Sequence, residues 1–77
     1  MNTDDLRYLW LSVLVQACRD ARAPEWDSKA EVMVARYEAR SWIEGGGKDF
    51  QHVCALAGVE PSVVQDWWRV EKARRNW

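Results

Sequence analysis

Apolar residues recur along this chain at helical intervals, with no strand-like alternation and no internal repeat. In DLRYLWLSVLVQACRDARA, Leu6, Leu9, Trp10, Val13, Leu14 and Ala17 keep the i, i+3, i+4, i+7 spacing of one helix face. Thr3 or Asp4 can cap this first helix, and Asp5 suits the positive end of its dipole. Tyr8, Leu11 and Val15 carry apolar surface around the back, as in a helix that is central in its fold or shared with another chain. Ala23-Pro24-Glu25 breaks the pattern, and Asp27 or Ser28 can cap a second helix over SKAEVMVARYEARSWIE. Gly45-Gly46-Gly47 ends that helix, with one glycine suited to the left-handed cap conformation and the three together forming a joint. A short third helix, Lys48 to Ala57, is expected to be capped by Asp49. Gly58 then turns the chain, and Pro61 opens a fourth helix running to about Arg74. The expected architecture is a single all-α domain, 1–77, a compact bundle of about four helices.

Composition sharpens this reading. A 77-residue chain with 48% hydrophobic residues and six tryptophans can assemble a dense core despite its size. Burial against the first helix is the expectation for Trp26 and Trp77. Trp67 and Trp68 point about 100° apart on a helix. Trp67 is assigned to the core, and Trp68 to packing on a neighbour or to an exposed anchor for a partner. The near-neutral charge, 11 Lys+Arg against 12 Asp+Glu, conceals a basic end in which Arg69, Lys72, Arg74 and Arg75 oppose only Glu71. Cys18 and Cys54 lie far apart in apolar surroundings, which favours a reduced pair over a disulfide, and the run Tyr8–Val15 is too short for a membrane span. A cytoplasmic protein is expected, with no membrane association.

Around Gly58 the intervals carry more information. Cys54 is small where one helix would cross close beneath another, Val53 and Ala57 face inward, and Val59, Val64 and Trp67 follow the turn. At Phe50–Arg69 the chain resembles the helix-turn-helix DNA-binding family, which would place a helix-turn-helix at about 49–75. The longer run SWIEGGGKDFQHVCALAGVEPSVV resembles small helical proteins carried by bacteria and their phages. The first resemblance implies that the second helix of the pair enters the major groove of double-stranded DNA. On that reading Glu60, Ser62, Val63, Gln65, Asp66 and Arg69 face the bases, Gln65 pairing with adenine and Arg69 with guanine or a phosphate. Lys72, Arg74 and Arg75 would grip phosphates, offsetting the negative charge of Glu60 and Asp66.

The expected function is therefore that of a small regulator-like DNA-binding protein, phage or prophage-associated, acting as a homodimer. The alternative is a protein-interaction module that binds and modulates a host or phage protein without touching DNA. Its contacts would come from its acidic N-terminal part and an exposed Trp68, while the partner-binding surface at Tyr8, Leu11 and Val15 on the first helix is expected to serve self-association. Catalysis is not expected: His52 and Cys54 stand two apart on one helix and cannot face each other. His52 reads as a partly exposed helix residue, and Asp4, Asp5, Glu38 and Glu44 read as solvated. Metal ligands lack number and spacing, the GGGK run lacks the phosphate-loop spacing, and no cofactor is implied.

Overall fold

The computed structural model describes residues 3–75. Four helices span α1 (Thr3–Ala21), α2 (Ala30–Gly45), α3 (Lys48–Ala57) and α4 (Pro61–Arg75), and no strand is present among the described residues. The all-α bundle read from the periodicity is observed. Trp77 lies outside the described residues.

The core forms where α1 packs on α3 and α2, with α4 closing it across the ends of α2 and α3. Phe50, Ile43 and Cys54 are fully buried. Trp42 meets Phe50 edge to face, with ring centroids 5.0 Å apart and planes at 88°, a favoured aromatic geometry. Cys54 and Ala57 supply the small side chains that let α3 sit close beneath its neighbours, as their spacing suggested.

The glycines do the turning. Gly46 has φ 57° and donates its N–H to Trp42 O, closing α2 with a left-handed cap. Gly58 has φ 74° and does the same for α3, while Val59 N–H donates to Cys54 O at 2.9 Å. The triple glycine is a capped joint: Gly47 is the N-cap of α3, and Gln51 Nε2 donates to Gly46 O at 2.9 Å. Asp49 is therefore not the cap. It lies in the first turn of α3 and accepts a hydrogen bond from Trp42 Nε1 at 2.9 Å. Nor do Asp27 or Ser28 cap α2, whose N-cap is Lys29 without a side-chain bond.

Two expectations about burial are corrected. Of the stripe assigned to the inside of α1, Leu14 is buried, but Leu6, Leu9 and Val13 are exposed. The inward line of α1 instead runs through Leu14 and Ala21, because α3 lies against that flank. Trp26 does not pack on α1 and is 83% exposed. A turn closed by Asp27 N–H on Pro24 O swings it outward, while its neighbour Glu25 is drawn the other way by Arg36 and Arg40.

Those arginines belong to a clamp on the α1–α2 connector. Arg36, a buried charge, donates from Nη1 to Pro24 O at 2.8 Å and Asp27 O at 3.2 Å. Arg40 donates from Nε to Ala21 O at 2.9 Å, and its Nη2 lies 2.6 Å from Glu25 as an ion pair lacking hydrogen-bond alignment. Arg75 donates to Arg22 O and Ala23 O. A connector that would otherwise bury unpaired carbonyls is thus satisfied by charged donors, which also complement the negative end of α1.

Candidate nucleic-acid interface

Proline at the start of α4 and the cap at Gly58 set where this helix begins, and its packing sets which face remains outside. Val64 and Trp68, one turn apart, point inward. The tryptophan assignments are thereby reversed. Trp68 is 3% exposed, and its indole N–H donates to Glu44 Oε1 at 3.0 Å. Its ring also carries the Arg40 guanidinium at 5.2 Å. Trp67 is only partly buried and lines a groove between α1 and α4. The reason is geometric: α4 leans on the ends of α2 and α3, which turns its inward direction toward Trp68. Trp68 is therefore a core residue and not an exposed partner anchor.

Gln65 is likewise drawn inward. It donates from Nε2 to Ile43 O at 3.0 Å, satisfying a carbonyl in the last turn of α2, so it does not face outward as a base reader. Arg75, assigned to phosphate, has its guanidinium engaged on the connector carbonyls of Arg22 and Ala23.

The outward row that remains is Ser62, Asp66 and Arg69, at i, i+4 and i+7 and all exposed. Arg69 Nη1 lies 3.0 Å from Asp66 Oδ1. Beyond them stand Arg74, with a long 3.9 Å approach to Glu71, and Lys72, 3.1 Å from Glu44. Glu60 and Val63, near the start of α4, are exposed, as is His52 on α3. Among the contacts attributed to a protein partner, Tyr8 is 71% exposed and Val15 is exposed. Leu11 is half-buried, and with Val15 it shares the Trp67 groove.

Glu44, read as merely solvated, is a junction. One of its oxygens accepts from both Trp68 and Lys72. These hydrogen bonds and the lysine charge hold its carboxyl below the ordinary value of 4.5, and Arg40 with Arg36 does the same for Glu25. A carboxylate favoured by folding contributes stability above its unfolded pKa and loses it as pH falls through the lower folded value. Thermal stability is therefore expected to drop as pH falls below about 4.5, the ordinary value. Both groups are largely solvent-screened, so the effect is modest. Glu44→Gln should flatten its share of the profile, measured as melting temperature against pH; an unchanged acid limb rules out the assignment.

Burial pushes the Cys54 thiol up, and the same cause, with Cys54 nearby, raises Cys18. Both are free thiols in their neutral form at physiological pH. Among the described residues no group of His, Cys, Asp or Glu is arranged to hold a metal ion, and no helix is long and apolar enough to cross a membrane.

Comparison with protein-family models, with curated proteins and with solved structures finds no match.

Proposed function

We propose that this protein binds double-stranded DNA through α4, as a small regulator-like helix-turn-helix protein of phage or prophage type. The observation that carries the reading is the outward row Ser62–Asp66–Arg69 on a helix joined to α3 by the short glycine turn. Asp66 lies 3.0 Å from one amino group of Arg69, whose side chain stays largely exposed. A guanidinium oriented in this way loses less freedom on meeting a guanine edge or a phosphate. Ser62 can donate or accept at a base or phosphate near the start of the helix. Arg74 supplies positive charge near the end, with Lys72 partly committed to Glu44. Gln65 and Arg75 have no part in this interface.

Arg69→Ala should therefore weaken binding to a selected site by about 1–3 kcal/mol and relax preference at one base pair. Arg74→Ala should weaken selected and random duplexes alike and lower the salt slope by about one. Asp66→Asn should raise affinity for random duplex, because it removes a negative charge from the face that meets the polyanion. Fluorescence anisotropy across a salt series reads all three. No duplex binding at low salt in the wild-type chain would reject the proposal.

A second reading has its own support. Trp26 and Tyr37 are 83% and 74% exposed, and aromatic side chains of this kind are what protein interfaces bury. On this reading the chain is a module that binds and modulates a host or phage protein. Trp26→Ala leaves DNA binding unchanged under the first reading and abolishes capture of the partner under the second.

A further inference from the structure

The groove between α1 and α4 differs from the other clefts in the sign of its charge. It holds about 460 Å³, within the range of small-molecule sites. Leu14 and Val64, both buried, form its floor, and the exposed Val15 and Val63 stand at its rims. The charged residues that line it are Arg19 and Arg22, with no carboxylate beside them. The groove between α1 and α2, by contrast, is lined by Asp20, Glu38 and Asp49, and the clefts between α2 and α4 by Glu25 or Glu44.

The two arginines sit at one end. α1 and α4 run parallel here: the Arg7 side chain lies against Gly58, just ahead of α4, and Arg22 pairs with Glu71. Leu11 and Val59 therefore close an apolar end, while Trp67, Arg19 and Arg22 form a basic one. From Leu11 to Arg19 the groove runs about 12 Å, at the helical rise of about 1.5 Å per residue. Arg19 is exposed and makes no hydrogen bond or ion pair among the described residues. The Arg22 side chain is 56% exposed, and its approach to Glu71 is long, at 3.6 Å.

We propose that this groove binds a medium-chain carboxylate, its head on Arg19 and Arg22 and its tail laid past Trp67 toward Leu11. Apolar walls alone would accept any greasy chain; the arginines choose among them. They repel an amine, and they favour a carboxylate over the alcohol of equal length, because charge-assisted hydrogen bonds are the stronger and a guanidinium matches a carboxylate. The tail adds affinity with the apolar area it covers, up to about fourfold per methylene. The site lies on the α1 side of α4, away from Arg69, which borders Ile43 and Glu44 on the α2 side. Binding there requires no DNA.

Calorimetry on the full chain, with decanoate below its micellar concentration, should show one saturable site. Decanol should bind at least about tenfold more weakly, and decylammonium should not bind. Arg19→Gln should raise the decanoate dissociation constant about tenfold and leave decanol unchanged. Arg19 is solvent-facing, so the helical circular dichroism of this variant should match the wild type. Val63→Glu, at an exposed rim, should abolish decanoate binding by setting a carboxylate in the groove. Position is read by nuclear magnetic resonance. The indole N–H of Trp67, assigned by its loss in Trp67→Phe, should shift on adding decanoate, while those of Trp10 and Trp42 in the α1–α2 groove should stay. Absence of a saturable site, equal affinity for decanoate and decanol, or an Arg19→Gln variant that binds as the wild type would overturn the assignment. So would shifts confined to Trp10 and Trp42, or association with anionic phospholipid vesicles but not with free decanoate.

Discussion

Trp68→Ala is expected to cost about 3–5 kcal/mol of stability, the range for truncating a buried aromatic side chain. A 77-residue domain has only about 4–12 kcal/mol to lose on the usual per-residue scale. This one change should therefore bring the chain close to unfolding at room temperature. The side chain is 3% exposed, lies beneath the Arg40 guanidinium and donates to Glu44. Its removal leaves a cavity and strips one favourable donor from a carboxylate. Trp68→Phe separates the two losses: most apolar volume remains while the indole donor goes, and a loss of about 1 kcal/mol is expected. Urea denaturation measures both. A Trp68→Ala protein destabilised by less than its Trp67→Ala counterpart contradicts the assignment of Trp68 to the core.

Arg36→Ala should produce the second large loss, about 1.5–3 kcal/mol for hydrogen bonds made by a charged donor. Arg36 is 9% exposed and serves Pro24 O and Asp27 O together. Without it the connector must rewater both carbonyls or leave them unpaired. Arg36→Lys keeps the charge but offers a compact ammonium in place of a planar fork, so it should recover only part of the loss. Amide exchange in the connector provides the local check. If protection of Arg22 to Lys29 is unchanged in Arg36→Ala, the clamp is not what holds the segment.

The helices themselves were legible because each has a local cause. Pro24, the three consecutive glycines, Gly58 and Pro61 mark the ends, and 3.6-residue periodicity fills the intervals. What periodicity does not carry is the direction of each apolar face. On α4, Val64 with Trp67 and Val64 with Trp68 fit an inward stripe equally well. Only the lean of α4 onto the end of α2 decides between them, and that is a relation between elements distant in sequence. The same holds for polar residues: nothing local says that Gln65 reaches Ile43 O or Arg75 reaches Arg22 O. Of the candidate site, Ser62, Asp66, Arg69 and Arg74 could be placed by counting along one helix. The residues that proved structural are those whose partners lie on other elements.

The arginine clamp also constrains the order of events at the ribosome. Arg75 serves carbonyls 52 and 53 residues earlier in the chain. The connector between the first two helices therefore cannot be completed until residue 75 has emerged, although α1 and α2 are synthesised long before. Nascent chains arrested short of that point expose the Arg22 and Ala23 carbonyls and remain open to proteases in the connector. Closure of the earliest loop is thus deferred until residue 75 has emerged, so the connector is completed together with α4 and not with the two helices it joins.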